Sequence, residues 1–256
     1  MSARQDDTFF IGWATAPKST RRFMLALAGG LVLLFGFSAY VIASTQNDPG
    51  SGAFRFDWGR QTVTGMISAA PYPMLHVVES ERFPAGHVLL LSGNGKRGVQ
   101  DRAETLDGQL VEISGVALNR GDLDMVQLLN GENGLRAVDG PTVALPEDQD
   151  LGHWRLTGEI CDGKCYSGAM RPGDGIAHRA CAGVCLIGGV PPVFVTTAPI
   201  EGEEFLVLGG SDGGPLPDDA LAHVGILVEI DGQVFRRGDV LVFRVSTDSI
   251  RIAGEE

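Results

Sequence analysis

Positive charge is scarce in this chain: 20 Lys and Arg stand against 32 Asp and Glu, a formal net charge of −12 at pH 7. An acidic body repels phosphate backbones, so nucleic acid is excluded as a partner. Cysteine is missing everywhere outside residues 161–185, where all four are gathered. No CxxC pair occurs, nor a thioredoxin-like βαβ pattern, and without CxxCH covalent c-type haem is not supported. A Ser-His-Asp set is lacking, as is a carboxylate pair with a case for catalysis, and no catalytic residue is assigned. The run Ser92-Gly93-Asn94-Gly95-Lys96 lacks the spacing of a phosphate loop and puts Arg97 where Ser or Thr is needed. It reads as a β-turn. Nothing in the chain is low-complexity.

What is present begins with a long apolar run. Phe23 to Ser44 is 22 residues without a charge, enough to cross roughly 30 Å of hydrocarbon as a helix. Arg21 and Arg22 precede it, with Arg4 and Lys18 upstream, and no Lys or Arg follows until Arg55. Positive charge stays inside, so residues 1–22 read as a cytoplasmic tail and residues 23–44 as a single-pass anchor in a bacterial inner membrane. Residues 45–54 form a polar linker, and the bulk lies in the periplasm. Two other readings use the same run. One is a cleaved signal peptide ending near Val41-Ile42-Ala43, although the run is long for that. The other is a twin-arginine export signal over Thr20–Leu25.

The body carries an internal repeat. Val88–Leu128 aligns without a gap on Phe205–Val245 at an offset of 117. Leu110-Val111-Glu112-Ile113 matches Leu227-Val228-Glu229-Ile230, and Arg120-Gly121-Asp122 matches Arg237-Gly238-Asp239. The halves also open alike, Val63–Ile67 against Leu156–Ile160, with Trp58 and Trp154 ahead of them in expected equivalent positions. Val111 and Ile113 alternate with Glu112 as on a half-buried strand. Each RGD triplet supplies a hairpin turn, and the mid-strand glycine suggests a bulge or sharp bend. With 36 Gly and 13 Pro among short apolar runs, the fold class is all-β. About five short, strongly curved strands per half predict two tandem OB-like small barrels, over 55–140 and 151–250, joined by a linker at 141–150. A β-sandwich is the competing architecture.

The halves differ in one loop. Residues after the second opening strand carry an insertion with the pattern Cys161-x3-Cys165-x12-His178-x2-Cys181-x3-Cys185. Asp174 is placed to cap a short helix over Gly175–Leu186, ended by Gly188-Gly189 and Pro191-Pro192. On that helix His178, Cys181 and Cys185 fall on one stripe, facing Cys161 and Cys165 from the strand end. Three chemistries fit. Two disulfides would pin the loop, with no cofactor. Cys161, Cys165, His178, Cys181 and Cys185 would together hold zinc or an iron–sulfur cluster, despite the unusual x3 spacing. A redox-active dithiol would profit from Lys164, Arg171 and Arg179 nearby.

The run from Asp162 to Pro192 resembles a motif of bacterial membrane-anchored proteins that carry the same Cys-x3-Cys…His-x2-Cys-x3-Cys insert, and the flanking repeats look similar too. The resemblance covers about an eighth of the chain at the motif. It implies that the segment is a unit and implies no activity. His76, His87, His153 and His223 read as scattered surface or core histidines. The expected function is a membrane-anchored accessory or redox-associated subunit, with the inner membrane and a membrane-complex protein as partners. The alternatives are an envelope thiol–disulfide oxidoreductase, which would make it an enzyme, and a metal-free interaction module.

Overall fold

The computed structural model describes residues 18–45, 50–141 and 143–254. The tail up to residue 17 and linker residues 46–49 lie outside the described residues. The chain divides into a unit up to Asp48 and a unit from Pro49. The first contains α1 (Lys18–Thr45). Lys18–Ser44 has a mean hydropathy of 2.2 and is long and apolar enough to cross a membrane. Its large side chains, from Phe23 to Ile42, are exposed, so the helix is apolar around its surface.

The second unit holds two closed five-stranded barrels. The first uses β2 (Arg60–Ser68), β3 (Met74–Ser80), β4 (Val88–Ser92), β5 (Leu110–Arg120) and β6 (Leu123–Leu128), with β1 (Ala53–Phe54) and β7 (Leu135–Ala137) paired on the outside of β5. The ring runs β5-β2-β3-β4-β6 and closes where β6 pairs with β5. Only β4–β6 is parallel. A short helix, α2 (Gln100–Glu104), lies between β4 and β5. The second barrel repeats the circuit with β8 (Gln149–Asp162), β9 (Pro192–Ile200), β10 (Glu203–Gly210), β11 (Leu227–Arg237) and β12 (Val240–Val245), where β10–β12 is the parallel pair and β13 (Arg251–Ile252) edges β11. Thus β5 and β11, and β6 and β12, sit 117 residues apart, as the sequence repeat requires. The OB-like expectation holds, and a sandwich does not describe these closed rings.

The mid-strand glycines let the rings close. Gly115 pairs with Gln61 on β2 and with Leu128 on β6, where β5 passes from one neighbour to the other. A Cβ there would stand 2.2 Å from the Gln127 carbonyl oxygen; at Gly232 it would stand 2.5 Å from that of Arg244. Only glycine permits such backbone approach. Trp58 and Trp154 each pack against their own barrel core, but Trp154 lies inside β8 whereas Trp58 precedes β2.

The apolar runs on β4 and β10 do not alternate because both faces are covered. Leu89 and Leu91 fill the first barrel. Val88 and Leu90 join Met74, Leu123 and Met125 in a cluster shared with Phe205, Val207, Val193, Val240 and Val242 of the second. These are the same five positions of the repeat, so the barrels meet through equivalent faces, as in the self-complementary interface of a two-fold dimer. The body is therefore one unit, and the stretch read as the linker, 141–150, contributes an ion-paired residue to it. Asp148 pairs with Arg237 at 2.6 Å and Arg244 at 2.5 Å.

One clamp across this seam titrates. His87 bonds Asp124 at 3.0 Å in its own barrel and Asp239 of the second RGD turn at 2.5 Å. Burial alone would lower its pKa, but the bonds to Asp124 and Asp239 outweigh it and raise the pKa from 6.5 to about 9. The protonated form is thus favoured by folding, so its stabilisation is complete below pH 6.5 and is lost as pH rises through about 9. Melting temperature should fall between pH 7 and pH 10 in the native chain, and His87→Gln should flatten that slope. An unchanged slope in the variant would assign it to other groups.

Candidate metal centre

The site grows from the end of β8, where successive side chains point to opposite faces. Cys161 turns into the seam between barrels, in the shared apolar cluster, and donates to Glu159 Oε1 at 3.2 Å. Burial, then Glu159, pushes its thiol well up. Asp162, one residue on, turns into the insert. Its Oδ1 accepts from the Cys165 backbone N–H at 2.8 Å and bends the chain. Its Oδ2 meets His178 Nε2 at 3.0 Å. A wide turn over Cys165–Ala169 follows, with Gly168 at φ +134° lying directly on Gly52 and Ala53.

The helix α3 is shorter than expected, Arg179–Ile187, with His178 at its N-cap. Asp174 does not cap it. The first RGD turn claims that carboxylate: Arg120 bonds Asp174 at 3.2 Å while its guanidinium lies 4.0 Å from the Tyr166 ring centroid. Gly188 and Gly189 end the helix as anticipated, with the Gly188 N–H bonding the Val184 carbonyl at 3.1 Å.

Four of the five expected ligands converge. Donor atoms of Cys165, His178 and Cys181 all lie within 4.8 Å of one another, and so do those of Asp162, Cys165 and Cys185. The Cys165 and Cys185 sulfurs are 4.0 Å apart. Cys165, His178 and Cys185 are buried and Cys181 is half-buried. Cys161 is not in the cluster; Asp162 occupies that end of it. All four thiols are free. The stripe of His178, Cys181 and Cys185 was legible from helical spacing, whereas Asp162 was not singled out.

The first barrel completes the site through the turn that only resembled a phosphate loop. Lys96 Nζ lies 2.6 Å from Cys181 Sγ and 3.9 Å from Cys185 Sγ. From the insert side, buried Lys164 donates to the Gly93 and Gly95 carbonyls at 2.7 Å each. Burial lowers the Lys164 pKa, partly offset by the charges of Cys185, Cys165 and Asp162. The hydrogen bond to Cys181 raises that of Lys96. Between the paired sulfurs, their mutual hydrogen bond holds the Cys165 thiol far up and draws Cys185 down. Lys96 had one signal in the sequence: the repeat places Gly213 opposite it, so the copies diverge there.

Three thiolates around a divalent cation would carry one net negative charge, and Asp162 would add another; the Lys96 ammonium on Cys181 and the buried Lys164 would offset them. No protein-family model, curated protein or solved structure matches the chain.

Proposed function

We propose that this chain is a membrane-anchored accessory subunit of the bacterial envelope whose second barrel carries a metal centre ligated by Cys165, His178, Cys181 and Cys185. One observation carries the reading: the 4.0 Å separation of the Cys165 and Cys185 sulfurs, with His178 and Cys181 grouped on Cys165. Zinc–sulfur bonds of about 2.3 Å in a tetrahedron set sulfurs about 3.8 Å apart. A disulfide would need about 2.05 Å. Asp162 on His178 Nε2 is the orienting carboxylate that metal-bound imidazoles use, leaving Nδ1 for the metal. Cys3His ligation suits a structural zinc; thiolates with histidine also suit iron–sulfur centres. The reading of the membrane side rests on Arg21 and Arg22 ahead of the uncharged run Phe23–Ser44 and on the lack of Lys or Arg after it until Arg55.

A second reading, an envelope thiol–disulfide oxidoreductase, draws on the depressed Cys185 thiol beside Cys165. Both sulfurs are buried, Cys185 at 1% exposure, and a protein disulfide cannot reach them, so the metal reading is preferred. Elemental analysis of the full chain purified in detergent without chelator tests it. About one zinc or iron-containing centre per chain is expected, with three thiols protected until metal is removed. Metal-free protein with a reversibly titrating thiol pair supports the oxidoreductase instead.

A further inference from the structure

The Lys96 loop belongs to the barrel that has no cysteine, yet its ammonium lies 2.6 Å from the half-buried Cys181 sulfur. The loop is fixed there on several sides. Lys164 holds its Gly93 and Gly95 carbonyls, and Gln127 holds Asn94 at 3.0 Å. The Gly98 N–H bonds the Gly188 carbonyl at 2.7 Å. A Cβ at Gly188 would stand 1.9 Å from the Lys96 carbonyl oxygen, so the lysine backbone rests directly on the end of α3. The side chain then folds back over Cys181, with Cys185 one helical turn further on the same face.

We propose that Lys96 is a positioning residue of the metal centre: an N–H donor from the first barrel that fixes the half-buried Cys181 sulfur and offsets the negative charge of the thiolate-rich site. The inference rests on the metal reading above and adds that the centre is composite, complete only with both barrels docked. Lysine suits the task because its stem lies on the protein surface while its head supplies a compact charge to one sulfur. Hydrogen bonds to a metal-bound thiolate withdraw charge from sulfur and tune both affinity and electronic structure.

Cobalt(II) tests it in the full chain in detergent, because thiolate-to-cobalt absorption reports the sulfurs directly. In the native chain Co²⁺ should bind with a tetrahedral spectrum. In Lys96→Met its affinity should fall about 10- to 100-fold, and the charge-transfer band should move to longer wavelength as sulfur regains electron density. Lys96→Arg should restore both. Lys96 is largely solvent-exposed, so circular dichroism should show all three proteins equally folded. A native chain without a tetrahedral cobalt spectrum overturns the metal reading itself. Native binding with unchanged affinity and spectrum in Lys96→Met overturns only the role of Lys96. Affinity lost without a band shift, or not restored by Arg, assigns Lys96 a merely structural part and also overturns the proposal.

Discussion

Cys165→Ser should abolish metal binding while Cys161→Val leaves it intact. Cys165 alone belongs to both groups of converging donors, with His178 and Cys181 on one side and Asp162 and Cys185 on the other. Removing its sulfur leaves no site for a buried cation, and affinity should drop by well over the roughly 10- to 100-fold that an outer-shell change costs. Cys161 faces the apolar seam, and valine stays apolar there while adding one methyl group, at a cost of about 1–3 kcal/mol in stability that leaves every ligand in place. Asp162→Asn falls between: the amide still accepts from the Cys165 N–H but no longer bears charge toward His178, and affinity should fall about 10- to 100-fold. Metal content and competition with a chromophoric chelator read all three. Equal loss in Cys161→Val and Cys165→Ser would place the centre elsewhere.

Gly98→Val should dismantle the site without touching a ligand. A Cβ at Gly98 would lie 1.9 Å from the Gly189 carbonyl oxygen and 2.5 Å from its carbon. Both contacts are backbone, so no side chain can swing aside; the loop and the end of α3 must separate. Overpacking of this kind costs about 1–3 kcal/mol. The functional effect should be larger, because the same separation carries Lys96 away from Cys181 and breaks the Lys164 bonds to Gly93 and Gly95. Chemical denaturation should show a lower midpoint, and the metal should be lost or become accessible to chelator in protein that is still folded. Stability reduced with the metal fully retained would show that the loop and the insert are independent.

The repeat made most of the architecture legible. An alignment at a fixed offset identifies two copies of one unit, and strand alternation in Leu110–Ile113 and its partner reveals which residues face a core. Helical spacing likewise put His178, Cys181 and Cys185 on one stripe. Other features were hidden for physical reasons. Val88 and Leu90 are apolar because they face another barrel, but a continuous apolar run looks the same whatever covers its second face. The strand β8 ends on a pair, Cys161 and Asp162, of which the cysteine looked like the ligand. Which of two adjacent residues faces the cluster depends on where the strand stops, a matter of one residue. Asp174 had the chemistry of a helix cap, yet Arg120, distant in sequence, offered it a better partner.

Local chemistry therefore determined much from the sequence: a helix with a charge-free apolar run from Phe23 to Ser44, two copies of a short-stranded β unit with glycines where backbones must cross, and a cysteine-rich excursion confined to one copy. These depend on neighbours within a turn or a strand, where covalent geometry and the hydrophobic pattern decide. Tertiary structure alone decided that equivalent faces of the copies close on each other, that Cys161 goes to the seam and Asp162 to the insert, and that Lys96 comes to Cys181 across 85 residues. Contacts of that range are fixed by how two finished barrels pack, and no spacing within either segment records it.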